Sequence, residues 1–367
     1  MREYSGDPNY LGQKVNGACS REVFSLSLAR AVRVMSSPAQ SSCPGTETSV
    51  LCAASYSTLV SISATASAEL SNATTMILTT VEGVAELGLP DMQAADFAGK
   101  AGSVAIAYTP ARVFAVGLGP AAEVTSESLR SAVAAGVKAL KDARVSEAFV
   151  LLPKDTGIAS ERLAADVSMA STLADYSFDI YINDDDRKFH INELTLVCDG
   201  AASEAALAAY HIAAGQCAAR DLANTRAGVA TPQYMEDRAA DLVAEYESLS
   251  LQVVDEEEMI QKGMGLIYGV GKAAPSGPRI VYVNYTGDPS SSDTLALVGK
   301  GLCYDTGGLN LKGSGNIETM YTDKHGACTV LGTMKAIAAL APKCNVLGVM
   351  VRPQQFSCGA LVLANQC

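Results

Sequence analysis

Short apolar runs alternate with longer stretches of helical spacing along most of this chain. Met76 to Val81, Ser103 to Tyr108, Arg112 to Leu118 and Ala148 to Leu152 are brief, rich in small or branched residues, and bounded by turn formers. That pattern predicts strands. Leu129, Val133, Val137 and Leu140 recur at intervals of three and four, which predicts a helix over Thr125 to Ala143 capped by Thr125 or Ser126. Glu161 to Tyr176 reads as a second helix and Glu193 to Cys198 as a strand, with a charged surface turn between them at Asn183 to Lys188. Ala201 to Asn224 is an alanine-rich helix long enough to bridge two domains.

The pattern restarts at Thr231, which can cap a helix with Pro232 in its first position, over Gln233 to Leu249. Strands follow at Leu251 to Val254, Arg279 to Tyr285, Leu295 to Val298 and Val346 to Val351, with helices at Asp255 to Lys262 and Thr329 to Leu340. Strands alternating with helices predict an α/β fold with parallel or mixed sheets covered by helices. Residues 1–75 carry little pattern: Arg21 to Met35 reads as a helix, Ser36 to Thr48 as a loop, and the Ala/Ser/Thr stretch to Thr75 as no definite element.

Composition narrows the class. The chain has 367 residues, enough for two domains and room for a third. Apolar residues make up 49% and charged residues 18%, which supports sizeable cores and excludes general disorder. A net charge of −12 repels phosphate backbones and anionic lipid, so neither nucleic acid nor membrane is an expected partner. The ten cysteines form no C-x-x-C pair and read as reduced thiols. The first residues lack the order of a secretory signal, and no apolar run is long enough to span a bilayer, so a soluble cytoplasmic protein is expected.

Chemistry concentrates in Leu295 to Thr329. An apolar strand there delivers Lys300, Asp305, Lys312 and Asp323 among glycines. Open α/β sheets place their sites beyond the carboxyl ends of strands, which puts Lys300 and Asp305 beside a crevice. Asp305 and Asp323 are hard oxygen ligands suited to a divalent cation. A lysine next to such a cation loses its proton more readily and can ligate, whereas Lys312 can stay charged and polarise a carbonyl. Two Asp and two Lys in such a span are more often surface charges, and His325 reads as ordinary surface or as a support behind the ligands. Asp305-Thr306-Gly307 matches the aspartic-protease signature, but that chemistry needs two such carboxylates sharing a proton, and there is one D-T-G here.

These residues resemble a known family. Val298-Gly299-Lys300-Gly301, Tyr304-Asp305-Thr306-Gly307-Gly308, Leu311-Lys312, and Met320 with Asp323 and Gly326-Ala327 are similar to the motif of the leucyl aminopeptidase (cytosol aminopeptidase) family. Ala219 to Asn224 with Thr231-Pro232, and the glycine-rich segment from Gly263 to Arg279, resemble its catalytic domain, and the likeness covers about residues 100–350. The resemblance implies a smaller amino-terminal α/β (macro-like) domain and a larger catalytic α/β domain with a central mixed sheet. Residues 76–198 would form the first, 199–224 a linking helix, and 225–367 the second. It also implies a hexameric metalloaminopeptidase that removes amino-terminal residues, leucine-type, from peptides with two divalent ions, zinc or manganese. Lys300, Asp305 and Asp323 would be metal ligands, Lys312 would polarise the scissile carbonyl, and Met320 would lie near the pocket for the substrate's first side chain.

The family also carries a later motif, N-T-D-A-E-G-R, which supplies an Asp and a Glu to the metals. It is absent from these 367 residues, and after Arg352 the likeness ends. The expectation is therefore an incomplete, truncated catalytic domain with an open sheet edge. Such a chain would be inactive alone, with a catalytically dead binding or assembly subunit as the alternative.

Overall fold

Leu129, Val133, Val137 and Leu140 are all fully buried. They seat helix α1 (Ser126–Asp142) on a sheet, and Thr125 caps it: its hydroxyl accepts from the Ser128 amide at 3.2 Å while Ser128 Oγ accepts from the Thr125 amide at 2.9 Å. The computed structural model describes residues 61–65, 73–88, 97–108, 111–198 and 200–352. The helix expected over Arg21 to Met35 and the loop over Ser36 to Thr48 lie outside these. All described residues fall within one unit, Ala53–Cys367.

The sheet beneath α1 has six strands: β1 (Ser61–Thr65), β2 (Thr75–Thr79), β3 (Val104–Ala107), β4 (Val113–Gly117), β5 (Glu147–Leu151) and β6 (Glu193–Val197). Their order is β1-β6-β5-β2-β4-β3, parallel except for β3 on its edge. Met76, Phe114, Val116, Val150 and Leu194 meet α1 and α2 (Ser160–Asp175) in one core. Strand β1 carries one buried apolar residue, Ile62, in Ser-Ile-Ser-Ala-Thr. Its place is set by pairing with β6 and by Ser63, whose hydroxyl donates to Glu193 at 2.7 Å, rather than by any pattern of its own. Asp175, at the end of α2, is fully buried and accepts from Lys141, His190 Nδ1 and the Ile191 amide, at 3.1, 3.0 and 3.2 Å. Each carboxylate oxygen is thereby satisfied.

Helix α3 (Gly200–Asn224) packs on α2 and continues to the second sheet. That sheet has four strands in the order β7-β8-β10-β9: β7 (Leu249–Val254), β8 (Arg279–Thr286), β9 (Thr294–Lys300) and β10 (Asn345–Arg352). β7–β8 and β8–β10 are antiparallel and β10–β9 is parallel, so the sheet is mixed. Helices α4 (Pro232–Glu245) and α7 (His325–Leu340) cover it, with Met235, Leu242, Val283, Leu331, Met334 and Met350 in their core. The short helices α5 (Glu256–Gln261) and α6 (Gly265–Gly271) flank a smaller cluster of Val254, Met259 and Ile280.

Several elements differ from expectation, among them strand β1 and helix α6, which no pattern predicted. Helix α4 stops at Glu245, because Tyr246 is extended (φ −136°, ψ 116°) and Leu249 already pairs with Tyr285 in the sheet. Helix α7 begins at His325, four residues before the start predicted at Thr329. The apolar run Leu295 to Val298 is not buried: β9 is the edge of the sheet among the described residues, with Leu295 62% and Val298 70% exposed. An apolar edge strand of this kind can template further pairing.

Helices α3 and α7 approach through glycine. A Cβ on Gly215 would overlap the Gly332 carbonyl oxygen, and one on Gly332 would overlap that of Gly215. On α3, the Cys217 thiol is buried, and burial pushes its pKa up to about 12. At pH 8, iodoacetamide is therefore expected to modify exposed Cys344 and to spare Cys217, read by peptide mass mapping. Equal labelling of the two in the folded protein would contradict this packing.

Candidate metal centre

Strand β9 ends at Lys300, and the chain stays bonded to β10 one residue further, where the Gly301 amide donates to Val351 O at 2.7 Å. Lys300 therefore stands at a carboxyl strand end, as an α/β site requires. Its neighbour Gly299 lies against the start of α7. A Cβ there would fall 2.5 Å from the Gly326 carbonyl carbon and 2.7 Å from the Ala327 nitrogen. Only glycine permits this approach, which brings Lys300 Nζ to 2.7 Å from Asp323 Oδ2.

The loop after β9 folds back on itself. Gly307 and Gly308 have φ of 85° and 67°, and the Lys312 amide donates to Thr306 O at 3.0 Å. The turn sets Lys312 Nζ 3.0 Å from Asp305 Oδ2, while Asp305 Oδ1 accepts from the Gly307 amide at 2.9 Å. A helical turn at Met320–Thr322 closes the arrangement. Met320 O accepts from the Asp305 amide at 3.5 Å and from the Asp323 amide at 3.3 Å. The four residues expected at the centre thus pair two by two, Lys300 with Asp323 and Lys312 with Asp305, and the Met320 backbone ties the two carboxylate segments together.

Burial alone would raise the Asp305 carboxyl. The Lys312 hydrogen bond, the Gly307 amide and the charges of Lys312 and Lys300 outweigh it, and the carboxyl sits below its usual range. Lys300 therefore acts on both carboxylates. Its side chain is 64% exposed, so the pair with Asp323 is screened by water and contributes little stability. Asp323 Oδ2 is itself buried, and although Lys300 Nζ is near, no donor meets it at a hydrogen-bonding angle. The carboxylates of Asp305 and Asp323 beside Lys300, which can ligate once it has lost its proton, are a donor set that fits a divalent cation. The set is small: among the described residues no three His, Cys, Asp or Glu side chains gather as a metal site.

A cleft of about 420 Å³ opens beside Lys300, lined by Val270, Val298, Gly299, Leu302 and Val351. His325 is exposed and lines a separate groove between α3 and α7. Lys324 is the residue that the motif did not flag. It is 1% exposed, and burial pushes its ammonium below the usual lysine range.

A mixed α/β sheet with two lysine–carboxylate pairs at one strand end defines a candidate metal-dependent enzyme centre. Comparison with known proteins gives the family. Residues 217–355 match the cytosol aminopeptidase family, catalytic domain, and residues 91–184 match the cytosol aminopeptidase family, N-terminal domain. A probable cytosol aminopeptidase of Geobacter sp. (strain M21) is 35% identical over 265 residues, 70% of this chain and 53% of that protein. One of Aquifex aeolicus (strain VF5) is 34% identical over 239 residues, 65% and 48% respectively. The bottromycin maturation enzyme BotP in complex with Mn superposes with a TM-score of 0.65 at 26% identity, covering 77% of this chain and 60% of that one. A tomato leucine aminopeptidase variant, at 22% identity and a TM-score of 0.69, shares the fold over 82% of this chain and 64% of its own. The chain belongs to the cytosol aminopeptidase family. It spans about half the length of the relatives it matches.

Proposed function

We propose that this protein is a metal-dependent aminopeptidase of the leucine type, acting on the amino termini of peptides. The observation that carries the reading is the convergence at one strand end of Lys300 with Asp323 and Lys312 with Asp305. Lys300, Asp305 and Asp323 are the residues that would hold the metal. Divalent ions, when bound, supply an anchor for the free amine and lower the pKa of the attacking water. Lys312 donates to the scissile carbonyl oxygen and stabilises the charge that develops there. Asp305 keeps the Lys312 ammonium in place before substrate arrives. Met320 borders the pocket for the first side chain.

Zinc or manganese, a hexameric assembly and a cytoplasmic setting belong to the same proposal by family likeness. So does a division into an amino-terminal domain, a linking helix and a catalytic domain from 225; the first of these reaches back beyond the expected 76–198, because β1 (Ser61–Thr65) pairs with β6 in its sheet. Lys300, Asp305 and Asp323 are a small ligand set for two divalent cations in a catalytic arrangement, so these 367 residues alone are expected to be inactive. The test is hydrolysis of leucine p-nitroanilide with Mn²⁺. The chain itself is expected to show no turnover above the metal blank. Fused to the remaining catalytic segment of a family relative, it is expected to turn over, and Lys312→Ala in that fusion to lower kcat by about a hundredfold or more. A folded, metal-loaded fusion with no activity would overturn the aminopeptidase reading. Turnover by the unfused chain would overturn its inactivity.

A further inference from the structure

Lys324 occupies the position just before α7, where the helix dipole disfavours a cation, yet its side chain is fully buried. Among the described residues no carboxylate pairs with it. Its Nζ instead donates to three backbone carbonyls: Ala223 O at 3.1 Å, Thr225 O at 2.8 Å, and Tyr321 O. The ammonium also lies 5.6 Å from the centroid of the Tyr321 ring. Ala223 and Thr225 sit at the carboxyl end of α3, where orphan carbonyls and the negative end of the helix dipole welcome a cation. Lys324 thus leaves an unfavourable helix end and uses all three of its donors at a favourable one.

The third bond decides the consequence. Tyr321 belongs to the Met320–Thr322 turn that leads directly into Asp323. Arg226, just past α3, stacks on the same ring, with its guanidinium carbon 4.7 Å from the centroid. The turn is therefore bolted to the end of α3 from one side, while Gly299 and Gly326 fix the start of α7 against β9 from the other. Asp323 lies between these two constraints. From this we infer that Lys324 is a positioning residue: it couples the carboxyl end of α3 to the turn that aims Asp323 at the cation site.

The inference rests on the reading that Lys300, Asp305 and Asp323 hold a divalent cation. Its test uses the full chain, free Mn²⁺ followed by electron paramagnetic resonance, and native-state hydrogen exchange without metal. Lys324→Met is expected to weaken Mn²⁺ binding about tenfold or more, the range seen when outer supports of metal ligands are lost. Exchange is expected to accelerate at residues 320–326 and to stay unchanged in the middle of α3. Lys324→Gln, which keeps two N–H donors on a shorter stem, is expected to fall between wild type and Lys324→Met, and it carries the test if the methionine variant does not fold. Unchanged Mn²⁺ affinity in the folded variants overturns the inference. So does a loss of affinity with equally faster exchange throughout the protein, which marks general loosening. Absence of Mn²⁺ binding in the wild type would count against the metal reading itself, while the exchange pattern would still report separately on the clamp.

Discussion

Gly299→Ala is expected to destabilise the protein by about 3 kcal/mol, at the upper end of the cost of forcing a methyl group into packed structure. The atoms that the new Cβ would meet are the Gly326 carbonyl carbon at 2.5 Å and the Ala327 nitrogen at 2.7 Å. Both are backbone, at the start of a helix, so no side chain can swing aside. Either β9 or α7 must move, and Lys300 separates from Asp323 when it does. Gly313→Ala is the matched control, because nothing lies within 4 Å of a Cβ built there. Urea unfolding should show a large drop in midpoint for the first variant and a change within about 0.5 kcal/mol for the second. Equal midpoints would mean that β9 and α7 do not touch as described.

Gly332→Leu is expected to cost still more, about 4 kcal/mol, because it blocks the crossing of α3 and α7. Its Cβ alone would overlap the Gly215 carbonyl oxygen and lie 2.9 Å from the Ala219 Cβ. The rest of a leucine side chain has no room between the two helix backbones. The helices must part, and with them the contact of Lys324 on the end of α3. Thermal unfolding followed by circular dichroism checks this, and a melting temperature within a few degrees of wild type would rule out the close crossing.

Where local pattern and burial agreed, the fold was legible in the sequence. Leu129, Val133, Val137 and Leu140 announced α1, and Thr125, Thr231 and Asp255 marked helix starts whose caps are present. Strands β4 and β8 are short apolar runs in the chain and largely buried in the sheet. Elements without their own pattern were not legible. Strand β1 exists through its partner β6, and α6 is built on Gly265, Gly269 and Gly271, residues that ordinarily break helices. The exposure of Leu295 and Val298 was also hidden, because an apolar strand reads the same whether central or at an edge.

The candidate site divides in the same way. Lys300, Asp305, Lys312 and Asp323 stand out because glycines separate them within one stretch, and the turns those glycines permit pair them. Lys324 did not stand out, since its partners Ala223 and Thr225 lie about a hundred residues earlier and meet it only through the packing of α3. Local reading finds residues that act on their neighbours in sequence. A long-range clamp is visible only once the helices are placed.

The central proposal is that Lys300, Asp305 and Asp323 hold a divalent cation at the end of β9. Equilibrium Mn²⁺ binding to the wild-type chain and to Asp323→Ala measures it most directly, with exposed Asp293→Ala as control. The expected result is Mn²⁺ binding to the wild-type chain that is unchanged in the control and lost in Asp323→Ala with the fold retained. No Mn²⁺ binding to the wild type, or the same affinity after removal of Asp323, would contradict the account.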